Sequence, residues 1–316
     1  MDRRYLNYAW RAAIGVAACA MLAASPPARA ETAQMIHVGN ILREYFVFMP
    51  DRLRGRQRAA PLLVVLHGGG GNAQQIRRFL PFDEIARRDG VIVVYPQGVE
   101  KHWNDGRLTT RDRAHRENID DVKFIKTLVD VVDRQHATVD YTRIYAIGIS
   151  NGGMMTLRLA CEAPDRFRAV AAFTANLPEP VPPLCRAAVA VGVLMMNGTA
   201  DPLVPYDGGQ VRFGRRTLGA VISTDATMAL FARRNGCTAQ PSTTDLPDVD
   251  PADQTRVVRL EWTGCRAPVV LYRIDGGGHT WPGRAQYLPQ FMVGKVSRDI
   301  DGTEVAWAFL KAQARR

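Results

Sequence analysis

TRIYAIGISNGGMMTLRLACE, residues 142–162, reads as a strand that turns abruptly into a helix. Residues 142–150 are an apolar run, MMTLRLACE has helical character, and between them Gly148, Gly152 and Gly153 surround Ser150. Glycine loses more backbone entropy on folding than alanine does, so its concentration here implies a turn too tight for neighbouring β-carbons. GISNG at 148–152 fits the pattern G-x-S-x-G. With a strand before it and a helix after it, that pattern predicts a nucleophile elbow with the Ser150 hydroxyl at its crest.

Further apolar runs end in turn residues at 43–49, 61–68, 90–98, 169–175, 189–198 and 268–278. From 61 onward they are rich in Val, Ile and Leu and lack polar alternation, as strands buried on both faces of a parallel sheet do. Helical stretches lie between them. A short helix is predicted at 83–88, and a longer one over 118–136 has apolar residues at 122, 125, 128, 129 and 132 on one face and Asp120 as its cap. Another ends at Gly236, a fitting stop, and a last helix closes the chain. The alternation predicts an α/β fold with a mostly parallel central sheet and helices on both faces. Residues 238–256 show no periodicity and are expected to form a polar loop. Asp248, Asp250 and Asp253 there lack the glycine and distal glutamate of a calcium loop, so no metal is expected.

A serine hydroxyl is a poor nucleophile near neutral pH and needs a base, which in turn needs an acid to orient it. On this fold the chain order is serine, acid, histidine. Of six histidines only His279 follows Ser150, in the glycine-rich loop DGGGHTWPG, where loop freedom would let the imidazole reach the serine. Asp201, in a turn after the run at 189–198, is the expected acid. Asp275 is the alternative, but it sits four residues from His279 on the same strand end, a poor place from which to grip the far ring nitrogen. The oxyanion donors are expected to be the backbone N–H of Asn151 and that of Gly69 in LHGGGGNAQQ, with Gly68 and Gly70 as close alternatives and His67 bracing the glycine loop. Trp281 and Trp103 either line a cleft, stacking on an aromatic acyl group, or pack in the core; the sequence leaves both roles open.

The 316 residues carry a net charge of +10 and are 47% hydrophobic. The cations are mostly Arg, scattered among acids, which argues against a nucleic-acid partner. Arg107, Arg111, Arg113 and Arg116 form one cluster, readable as a solvated loop or as a rim that attracts acidic groups. Arg3, Arg4 and Arg11 precede an apolar stretch at 12–24 and then SPPARA, which predicts a secretory signal over 1–30 and export of the remainder. That stretch is too short to span a membrane. VAAC at 16–19 offers a rival reading with a lipid anchor on Cys19. Residues 31–316 are expected to be a single catalytic domain. They hold Cys161, Cys185, Cys237 and Cys265, an even number that predicts two disulfides, with sequential pairing favoured among three connectivities. No C-x-x-C pair with nearby histidines is present, so a zinc site is not expected.

LHGGGGNA, GISNGGMM, GTADPLVPY, GGGHTWPG and DIDGTEVAWAFL, spread over residues 40–312, resemble the secreted polyhydroxybutyrate depolymerase and feruloyl esterase family of α/β-hydrolases, its LpqC-like branch above all. The resemblance implies an α/β-hydrolase fold and a cofactor-free serine esterase with Ser150 as nucleophile, Asp201 as orienting acid and His279 as base. It also implies pairing of Cys237 with Cys265, and feruloyl esters or short hydroxyalkanoate oligomers as substrates. A secreted peptidase and a non-catalytic binding protein are the alternatives on the same scaffold. One departure is Asn197, where the family commonly has His before GTADP; it is expected to alter the bracing of the acid loop while leaving the carboxylate. No polymer-binding module is visible, which points to soluble esters over solid polyester.

Overall fold

A computed structural model describes residues 33–55, 58–185 and 189–313. The expected export signal at 1–30 and the lipid reading at Cys19 lie outside the described residues. In chain order come β1 (Gln34–Val38), β2 (Ile41–Phe48), β3 (Ala60–Leu66), α1 (Ala73–Phe79), α2 (Phe82–Asp89) and β4 (Ile92–Pro96). They are followed by α3 (Arg113–Arg116), α4 (Asp121–Gln135), β5 (Val139–Ile149), α5 (Asn151–Glu162), β6 (Ala169–Phe173) and β7 (Gly192–Gly198). The last third contains β8 (Gly209–Phe213), β9 (Arg216–Val221), α6 (Thr224–Asn235), β10 (Ser242–Asp245), β11 (Arg256–Trp262), β12 (Val269–Asp275), α7 (Gln290–Val293) and α8 (Gly302–Lys311).

Ten strands form one sheet in the order β1-β2-β4-β3-β5-β6-β7-β12-β11-β10, and β8 and β9 form a separate hairpin. From β4 to β12 every neighbouring pair is parallel, while β1, β2, β11 and β10 add antiparallel margins. The centre of the sheet is covered on both sides, which explains the missing polar alternation. Leu62, Val64 and Leu66 of β3 face a core shared with α4, α5 and α6, and Leu63 and Val65 face a second core shared with α1, α2 and α8. Each such side chain contributes about 1.5–3 kcal/mol by leaving water. The capping predictions hold: Asp120 accepts from Lys123 N at 2.8 Å, and Gly236 ends α6 at φ +69°.

The stretch 238–256 is not wholly a loop. It contains β10, a fully exposed margin strand of sequence STTD, and a short 3-10 turn at Pro251–Asp253. An edge strand with no buried face carries no hydrophobic pattern, so periodicity cannot find it. The aspartates there act locally: Asp248 pairs with Arg256, Asp250 accepts from Ala252 N, and Asp253 accepts from Thr255 N and Arg298 N. Among the described residues no His, Cys, Asp or Glu cluster is arranged to hold a metal ion. Nor is any helix there long and apolar enough to cross a membrane. Disulfides join Cys161 to Cys185 and Cys237 to Cys265, the sequential pairing. The second ties the end of α6 to the turn between β11 and β12.

Candidate active site

β5 ends at Ile149 and α5 begins at Asn151, leaving Ser150 alone in the turn with φ +57° and ψ −124°. A left-handed φ is costly for a residue with a β-carbon and persists only where surroundings over-determine it. Here Ser150 N donates to Phe173 O of β6 at 2.9 Å, and Ser150 O accepts from Met154 N at 2.8 Å. The flanking glycines follow from close approach. A β-carbon on Gly148 would lie 2.4 Å from Gly152 O, and one on Gly152 would lie 2.4 Å from His67 O.

The glycine loop after β3 passes directly over this turn. A β-carbon on Gly68 would sit 3.6 Å from Ser150 Cβ, and one on Gly69 would sit 3.5 Å from Asn151 Cβ. Gly70 N and Gly71 N are occupied, donating to Lys101 O and Gly68 O. Asn151 is the first residue of α5, so its N–H has no partner within the helix. His67 braces the loop as expected: Nδ1 donates to Gly68 O at 2.8 Å and Nε2 accepts from Gly98 N at 3.0 Å. Burial pushes its pKa down to about 4, which keeps the ring neutral and suited to that double role.

His279 and Asp201 meet. His279 Nδ1 lies 2.7 Å from Asp201 Oδ2, with both side chains almost fully buried. Asp201 Oδ1 accepts from Leu203 N and Val204 N at 2.8 and 2.9 Å, which fixes the carboxylate from behind. The loop bearing His279 is tied rather than free. His279 N donates to Val293 O, and Tyr287 Oη donates to His279 O at 2.8 Å. Asp275 instead pairs with Arg273 at 2.8 Å. Among the described residues Ser150 Oγ makes no hydrogen bond to the imidazole. Catalytic hydrogen bonds commonly tighten only when substrate binds.

Asn197 braces the loop after β6, not the acid loop. Its amide donates to Ala175 O, Asn176 Oδ1 and Thr224 Oγ1, and its carbonyl accepts from Ala175 N. Both tryptophans pack in the core, the second of the roles the sequence left open. Trp103 is fully buried, stacked near Phe124, with Nε1 donating to His67 O at 2.9 Å. Trp281 stacks on Phe173 with ring centroids 3.6 Å apart, and its Nε1 donates to Thr303 Oγ1. The arginine cluster is partly consumed by its neighbours, since Arg107 pairs with Asp105 and Arg113 with Glu117. Three side chains near the site escaped sequence reading: Asp105, His115 and Tyr287. Their partners are distant or depend on how a loop folds, so no spacing announces them.

The family described as "Putative esterase" matches residues 42–201. A "Putative esterase NocK" from Nocardia uniformis subsp. tsuyamanensis is 32% identical over 290 residues, covering 88% of this chain and 82% of that protein. The chain belongs to this esterase family. The esterase is also 29% identical over 243 residues to feruloyl esterase C of Emericella nidulans, covering 74% of this chain and 76% of that one. Feruloyl esterase B of Piromyces equi is 28% identical over 245 residues, and this chain spans 42% of its length. Among solved structures, an acetyl xylan esterase from Aspergillus awamori superposes with a TM-score of 0.56 at 15% identity, over 79% of this chain and 94% of that one. That likeness establishes the architecture: the esterase has the α/β-hydrolase fold. Membership of the family makes it a carboxylic ester hydrolase.

Proposed function

We propose that the esterase works by nucleophilic catalysis through an acyl-enzyme, with Ser150 as nucleophile, His279 as general base and Asp201 as its orienting acid. The observation that carries this is the 2.7 Å contact between His279 Nδ1 and Asp201 Oδ2. A ring that donates from Nδ1 to a carboxylate keeps the Nε2 lone pair free to take the serine proton. Ser150 then attacks the ester carbonyl, and the N–H groups of Asn151 and Gly69 receive the developing oxyanion. The alcohol leaves with the proton from His279, and water repeats the sequence to release the acid. No cofactor enters any step.

For the substrate we favour feruloyl and related hydroxycinnamoyl esters over short hydroxyalkanoate oligomers, because two relatives are named feruloyl esterases. Export through a signal at 1–30 belongs to the same reading, and two disulfides suit an oxidising compartment. Turnover of p-nitrophenyl acetate by the native chain and by Ser150→Ala tests the nucleophile. A loss of at least about a thousandfold is expected, and equal rates rule Ser150 out. Comparing kcat/KM for methyl ferulate, a hydroxybutyrate trimer and a peptide anilide then orders the substrate classes. Ferulate is expected to lead, and preference for the trimer or the anilide would overturn that choice.

A further inference from the structure

We propose that Asp105 is a positioning residue that, through the loop after β4, holds both oxyanion-binding peptides of this esterase at a fixed separation. The inference rests on the assignment of Asn151 and Gly69 as oxyanion donors. Asn151 is stitched to that loop by its side chain. Its Oδ1 accepts from Trp103 N at 2.8 Å, and its Nδ2 donates to Trp103 O at 2.9 Å and to Asp105 Oδ2 at 2.6 Å. The amide thereby spends three hydrogen bonds on the protein itself, so the side chain is engaged in scaffolding while its main-chain N–H, at the first position of α5, has no partner within the helix. The same loop reaches His67 and Gly70, on either side of the other donor. Trp103 Nε1 donates to His67 O, Gly98 N donates to His67 Nε2, and Lys101 O accepts from Gly70 N. One segment, 98–105, therefore bridges the start of α5 and the glycine loop after β3.

Asp105 is the anchor of this bridge, and it is fully buried. Besides Asn151 it accepts from Arg107 N and Nε, pairs with Arg107 Nη2 at 2.8 Å, and takes His115 Nε2 at 2.9 Å. The other ring nitrogen of His115 lies 2.8 Å from Asp112 Oδ1, so both nitrogens face carboxylates and the ring is held as an imidazolium. Buried charge clusters of this kind cost desolvation and add little to stability compared with apolar packing. What the cluster supplies is direction: a carboxylate gripped by two cations aims one oxygen at the Asn151 amide. Burial opposes the charge on His115, but the two carboxylates prevail and push its pKa up to about 9. Arg111, Arg158 and Glu179 are the other charged groups that line a cavity of about 830 Å³ together with His115 and Arg107.

The test uses Asp105→Asn and His115→Gln in the full chain, with p-nitrophenyl acetate and a boronic acid that forms a tetrahedral serine adduct. Asp105→Asn is expected to lower kcat about tenfold to a hundredfold, with KM within about twofold and boronate affinity reduced in parallel. His115→Gln imitates the deprotonated ring at every pH. Native kcat is expected to step down as pH rises through about 9, and the variant to run at the lower level without that step. A folded Asp105→Asn enzyme with kcat within twofold of native, or with a loss confined to KM, overturns the proposal. If Asp105→Asn does not fold, coincident pH profiles of native and His115→Gln overturn it instead. Ser150→Ala measured alongside separates the two levels: full activity there removes the serine reading itself, whereas an inactive Ser150→Ala with an unaffected Asp105→Asn removes only the clamp.

Discussion

At Ser150 the backbone is held where only its neighbours allow it, and the clearest residue-scale prediction concerns one of them. Gly152→Ala would place a methyl 2.4 Å from His67 O, a backbone atom that cannot move without displacing the glycine loop. The variant is expected to lose about 1–3 kcal/mol in guanidinium unfolding, as overpacked cores do, and to lose turnover because the loop moves. Native stability in that variant would contradict the described contact. The turn at Ser150 and the meeting of Asp201 with His279 were legible because each residue stands in a short motif whose chemistry dictates its neighbours. Asp105 and His115 were not, since Asp105 meets Asn151 46 positions away through a loop whose path no periodicity encodes. The two tryptophans show a different gap: an aromatic beside a glycine-rich loop looks the same in sequence whether it faces substrate or core.

Among the elements, the interior of the sheet and β2 at one margin were readable, and β1, β10 and β11 were not. β3, β4 and β6 are apolar throughout because both faces are covered, whereas β10 carries four exposed polar residues and takes its register wholly from β11. The bond between Cys237 and Cys265 supports this margin from the end of the sheet opposite Ser150, since Cys265 precedes β12 and the serine follows β5. Replacing both cysteines by alanine is therefore expected to cost about 2–4 kcal/mol of unfolding free energy while leaving kcat at 25 °C within about twofold. Chemical denaturation and a steady-state assay check both halves. A collapse of kcat in a folded variant would show the two ends of the sheet to be coupled.

Across the whole molecule, two buried histidines shape stability with pH in opposite senses. His115 has a folded pKa of about 9, above its unfolded value near 6.5, so its contribution is complete below about 6.5 and is lost as pH rises through about 9. His67 has a folded pKa of about 4, so its contribution is complete above about 6.5 and is lost as pH falls towards 4. Melting temperature measured from pH 4 to pH 10 is expected to peak near 6.5, with the alkaline side flattened in His115→Gln. A peak displaced beyond pH 8 would contradict the His115 assignment, and one below about pH 5 would contradict that of His67. The hairpin of β8 and β9 exposes most of its residues, and no hydrogen bond described here ties it to Asn151 or to the glycine loop. On the proposed assignment of the donors, change along the exposed edge of the hairpin costs little, whereas any drift of the β4 loop slackens the hold on both peptides together.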